Sequence, residues 1–111
     1  MAFKTDKAVS ARAIVTPLAE TFRKGTTTFK QVKRLGRVII YELTSKPTKE
    51  RPDPMVQFEV MITYVDKNGV EMAPGSSMWG TRGWTFSTLQ GAFIKWTEMT
   101  KPEFGFGIAS S

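Results

Sequence analysis

The stretch MVQFEVMITYVDKNG, Met55 to Gly69, decides the architecture. Val56, Phe58, Val60, Ile62 and Tyr64 alternate with Gln57, Glu59, Met61 and Thr63. Successive side chains of a strand point to opposite faces, so the alternation predicts a half-buried strand with one covered face and one open, polar face. DKNG then turns the chain, with Asn68-Gly69 supplying the positive φ values of a tight hairpin. Val70 to Ala73 begins a return strand, which Pro74 and Gly75 break or kink at a sheet edge. Strand-type residues resume through SMWGTRGWTF, Ser77 to Phe86.

Upstream, TTTFKQVKR and RVIIYELTS flank Leu35-Gly36 and are rich in β-branched residues. They read as a hairpin, or as one long strand with a glycine bulge. SKPTKERPDP, residues 45–54, holds three prolines and reads as an exposed, mobile loop. Residues 16–25, TPLAETFRKG, carry the punctuation of a two-turn helix. Thr16 suits the cap, Pro17 the first helical position, Arg23 and Lys24 the last turn, and Gly25 the residue beyond it. Residues 1–15 are weakly patterned, a flexible arm or an edge strand.

Downstream, Ser87 and Gln90 have capping-box spacing. Leu89, Phe93 and Trp96 form one helical stripe, widened by Ala92 and Met99, and Lys101-Pro102 ends it. A helix of about three turns is expected there. The tail, residues 103–111, reads as loose, with Phe104, Phe106 and Ile108 available to dock. The expected fold is a single α+β domain over residues 1–111. An antiparallel meander of three to four strands is covered by a C-terminal amphipathic helix.

Composition narrows the function. The 111 residues include no cysteine and no histidine. That removes disulfides, thiolate nucleophiles, Ser-His triads and zinc sites built on Cys or His. The acids are scattered, and neither GxxxxGK[ST] nor GxGxxG is present. A non-enzymatic protein with no metal and no cofactor is expected. No window approaches the roughly 18 apolar residues of a membrane span, and the N-terminus lacks a secretory apolar core. The chain therefore reads as intracellular, in the cytoplasm, nucleoid or nucleus.

The net charge is +6. It is uneven, with twelve Lys/Arg against four acids in residues 1–51 and four against six in residues 52–111. A basic half suits a polyanion, most often nucleic acid; a solubilising surface is the plain alternative. In FKQVKRLGR, Lys30 and Arg34 fall on one face of a strand and Lys33 and Arg37 on the other, unless Gly36 shifts the register. They read as a phosphate-tracking ridge, or as lysine-guarded edge strand. In MWGTRGWTF, Trp79, Arg82, Trp84 and Phe86 offer the mixture of cation and flat ring on which unpaired bases stack. Trp79 is the better stacking candidate, Trp84 leans toward the core, and Trp96 belongs to it.

GRVIIYELTSK followed by DKNGVEMAPG, a strand and a short amphipathic helix resembles the single-stranded DNA-binding coactivators of the positive-cofactor-four type. The matching residues are Gly36, Arg37, Val38, Ile39 and Ile40, then Asp66, Gly69, Met72, Pro74 and Gly75. The sheet-then-helix order is also similar to Whirly and Pur domains, and the resemblance spans roughly residues 28–100. The chain departs from the family in its 45–54 loop, in one extra turn residue, and in tryptophans that have no place on the pattern. The resemblance implies a homodimer packed through its helices. It also implies a curved sheet gripping unpaired DNA, with Lys30, Lys33, Arg34 and Arg37 on the binding surface.

The leading expectation is a small single-stranded nucleic acid-binding protein using Lys30, Lys33, Arg34, Arg37, Trp79, Arg82 and Trp84. Its size and composition suit a viral or mobile-element accessory protein. The alternatives are a protein-interaction module acting on an enzyme of transcription, replication or defence, a structural or assembly protein, and a double-stranded RNA binder.

Overall fold

The structure, a computed structural model, describes residues 15–107. The arm expected at residues 1–15 lies outside them except for Val15, as does Ile108. Four strands follow one another as an antiparallel meander: β1 (Thr21–Lys24), β2 (Thr27–Leu35), β3 (Val38–Ser45) and β4 (Met55–Ile62). Two short strands, β5 (Tyr64–Val65) and β6 (Glu71–Met72), pair only with each other. The chain then returns as β7 (Gly83–Phe86) along the free side of β4, giving the order β1-β2-β3-β4-β7. One helix, α1 (Leu89–Met99), packs across β3, β4 and β7. The α+β fold is as expected, with β1 as a strand more in the main sheet and the β5–β6 pair standing apart from it.

That extra strand stands where residues 16–25 carried helix punctuation. Thr21, Phe22, Arg23 and Lys24 pair with Lys30, Phe29, Thr28 and Thr27. The Phe22 and Phe29 rings stack with centroids 4.6 Å apart, and both meet Tyr41 edge-on. A two-turn helix has no comparable burial to offset its nucleation cost. Gly25, at φ 62°, opens a two-residue hairpin turn rather than closing a helix.

Each face of the sheet carries a core. On one, Val38, Ile40, Val60 and Ile62 meet Ala92 and Trp96 of the helix. On the other, Phe29, Ile39, Tyr41, Leu43 and Met61 form a second core beneath Leu18, Phe22 and Ala73. The β4 face expected to be open is closed only toward its C-terminal end, where Met61 and Thr63 are inside; Gln57 and Glu59 stay half-buried. The Tyr41 hydroxyl donates to the Ala19 carbonyl at 2.6 Å, pinning the incoming chain across this face. Burial on both faces explains the unbroken apolar run Val38-Ile-Ile-Tyr41. Each fully buried aliphatic side chain contributes roughly 1.5–3 kcal/mol.

The 55–65 run divides at Thr63. Its N–H donates to the Arg37 carbonyl at 2.9 Å and its hydroxyl to the Glu71 carboxylate, which pulls Tyr64 and Val65 out of the main sheet. In the following turn, Asp66 Oδ1 accepts from the N–H groups of Asn68 and Val70 at 2.8 and 2.9 Å, and Gly69 takes φ 79°.

The helix starts at Leu89, and its cap is Thr88 rather than Ser87: Thr88 Oγ1 accepts from the Gly91 N–H at 3.1 Å. Its buried line is Ala92 and Trp96, with Met99 packed alongside. Leu89 and Phe93, expected in the stripe, are exposed. Trp96 Nε1 donates to the Val38 carbonyl at 3.0 Å and fixes this rotation, while Phe93 stacks on the outer side of Trp96. The tail docks through residue 107. Phe106 packs on the helix-side core, and its carbonyl accepts from the Arg37 N–H at 2.8 Å. The 45–54 loop is closed on itself by Arg51, which donates to the carbonyls of Lys46 and Asp53.

Candidate functional site

A β-bulge rearranges the basic ridge. Gln31 pairs with Tyr41 and Lys33 with Ile40, so Val32 is an extra residue and every side chain after it changes face. Lys30 and Lys33 share the helix side of the sheet, and Arg34 points to the other. This reverses the expected pairing of Lys30 with Arg34. Arg23, by its pairing with Thr28, lies on the Lys30 face. Lys33 Nζ rests 4.9 Å from the Trp96 ring centroid and 5.8 Å from that of Phe93, a cation over two aromatic faces.

Arg34 is engaged elsewhere. Its guanidinium forks onto Glu71, with Nη2 2.6 Å from Oε1 and Nη1 3.1 Å from Oε2, and Nη1 also donates to the Gly36 carbonyl. Glu71 is only 5% exposed and also accepts from the Leu18 N–H at 2.9 Å and from the Thr63 hydroxyl. Burial alone would raise its pKa; the Arg34, Leu18 and Thr63 donors outweigh this and hold the carboxyl below the usual range. Arg34 is thus a frame residue. Arg37 sits in the β2–β3 turn with its backbone bonded to Phe106 and Thr63. Arg82 donates to the Thr63 carbonyl at 3.0 Å and lies over the Phe106 ring.

The three tryptophans divide. Trp96 is core. Trp84 is half-buried on the helix side, with Lys95 Nζ 4.9 Å from its ring centroid. Trp79 is 37% exposed and lies on the opposite face. Its ring lies against Gly83, where any Cβ would run into the indole, and its Nε1 donates to Thr85 Oγ1 at 3.0 Å. One flat face is held down and the ring's heading is set.

Trp79 borders an open groove of about 440 Å³ whose other walls include Phe22, Lys24, Phe29, Glu59 and Met61. No other residue of the expected site lines it. Lys24, Phe22 and Glu59 lie far from Trp79 in sequence, and only strand pairing brings them together. Burial pushes the Glu59 carboxyl above its usual range, with the Lys24 charge opposing. Among the described residues no group of three His, Cys, Asp or Glu could hold a metal, and no helix is long and apolar enough to cross a membrane.

No family model, curated protein or solved structure matches this chain.

Proposed function

We propose that the protein binds single-stranded nucleic acid without catalysis, and that the Trp79 groove receives its bases. The half-exposed indole clamped over Gly83, facing a groove with a lysine at its rim, carries this reading. Stacking on an aromatic face tolerates any base, and Lys24 supplies the phosphate contact. Arg23, Lys30 and Lys33 on the reverse face of the same β1–β2 ribbon extend the positive field around its edge. The resemblance to single-stranded DNA-binding coactivators supports the same class. Intrinsic tryptophan fluorescence titrated with dT12 at two salt concentrations tests it. Quenching that weakens with salt and drops roughly tenfold in affinity in Trp79→Ala supports stacking. Absence of quenching at low salt refutes it.

A second reading has its own observation. Leu89 and Phe93 stand exposed on α1 and, with Val32, Lys33 and Ile40, line a groove of about 480 Å³; Ile94 of the same helix is 63% exposed. An apolar helix face of this kind fits a protein partner, including a second copy of the chain. Sedimentation at two concentrations, with and without Ile94→Glu, tests the homodimer.

A further inference from the structure

We infer, building on the nucleic-acid reading of this groove, that Glu59 gives it a preference for guanine. The groove makes two opposite demands. Lys24 attracts an anion, and Glu59, on the same wall set, repels one. A ligand that carries a phosphate at one end and a donor-rich edge at the other meets both, and a nucleotide is such a ligand. Among the described residues nothing donates a hydrogen bond to the Glu59 carboxylate; the charge acting on it is that of Lys24. A half-buried carboxylate short of donors favours a partner that brings them.

Position fixes which part of the ligand it meets. Glu59 on β4 stands directly across from Thr85 on β7, so both side chains share a face, with Cβ atoms about 4.5–5.5 Å apart. Thr85 is also the residue that holds the Trp79 indole. A base stacked on that indole therefore turns its edge toward Glu59. Guanine presents two adjacent donors on its Watson–Crick edge, N1–H and the N2 amine, and a carboxylate accepts both at once. Adenine and cytosine place a ring acceptor beside their single amine, which faces a carboxylate oxygen unfavourably. Thymine flanks its one N–H with two carbonyls.

The test uses the whole chain and four oligonucleotides: dT12, and dT12 with one central guanine, inosine or adenine. Inosine keeps N1–H and lacks the N2 amine. Guanine should bind roughly tenfold more tightly than thymine at that position, inosine less so, and adenine no better than thymine. Glu59→Gln should lose the guanine advantage. The base series alone needs no variant, so it holds even if Glu59→Gln misfolds. Equal affinity for all four, with Trp79-dependent quenching intact, overturns the guanine preference and leaves the nucleic-acid reading standing. A guanine advantage that inosine retains and Glu59→Gln preserves belongs to stacking, and overturns the role of Glu59. Absence of quenching by all four overturns the nucleic-acid reading itself.

Discussion

Arg34→Met separates frame from binding surface. The substitution removes the forked contact to Glu71 and leaves a carboxylate that is 5% exposed with two donors, the Leu18 N–H and the Thr63 hydroxyl. Stripping one partner from a buried ion pair costs about 3–5 kcal/mol. Arg34 is 29% exposed and two donors remain, so the low end applies, about 3 kcal/mol at pH 7. For a domain of this size that lowers Tm by roughly 12 °C or more. Urea denaturation followed by circular dichroism reads the loss. The pH dependence adds a signature. A carboxyl whose folded pKa is depressed contributes stability above its unfolded pKa, and that contribution is lost as pH falls through the folded value. Without Arg34, burial is left as the dominant influence and Glu71 takes up a proton earlier. The gap between wild type and variant should therefore narrow below about pH 5. Affinity for dT12, measured where the variant is still folded, should not change. A loss under about 1 kcal/mol together with weakened oligonucleotide binding would refute the reasoning and return Arg34 to the phosphate surface.

Three further outcomes are expected. Glu59→Gln should raise Tm at neutral pH but not in acid. A carboxyl with a raised folded pKa gives its full stability below the unfolded pKa and loses it as pH rises through the folded value, a loss that an uncharged glutamine does not suffer. Gly36→Ala should cost about 1–3 kcal/mol in urea denaturation, because Gly36 has φ 60° and a Cβ there meets the backbone of Phe106 and Gly107. Gly25→Ala, at φ 62° in open space, should cost less, and the difference isolates the docked tail. Gly83→Ala should displace the indole from its seat, red-shift tryptophan emission and weaken dT12 quenching as Trp79→Ala does, with far-UV circular dichroism unchanged.

β4 and the helix were legible from sequence periodicity: residues 55–62 alternate in polarity, although Val60, Met61 and Ile62 are all buried, and Ala92, Trp96 and Met99 follow a helical spacing. Residues 16–25 misled because Pro, Lys and Gly punctuate hairpins as readily as helices. What decides for a strand there is Phe29, a partner that only pairing reveals. The bulge at Val32 left no mark, since every residue around it suits a strand, yet it reassigned Lys30, Lys33 and Arg34 to faces. Arg34 looked free because its partner, Glu71, is 37 residues away. The Gly-rich setting of Trp79 did signal an unusual indole. The groove around it did not show, being assembled from β1, β2, β4 and the segment before β7.

Glu71 has a consequence in time. Its carboxylate ties the β5–β6 ribbon to Leu18, Arg34 and Thr63, at sequence separations of 53, 37 and 8 residues. The long-range ties can close only after the meander has brought those segments together, so they form late on the way to the native state. Interactions absent from the folding transition state act on the rate of unfolding and leave refolding nearly untouched. The carboxylate therefore works as a latch on native lifetime: slackening it shortens how long the ribbon stays shut, and the amides of residues 64–72 should exchange with solvent as one unit.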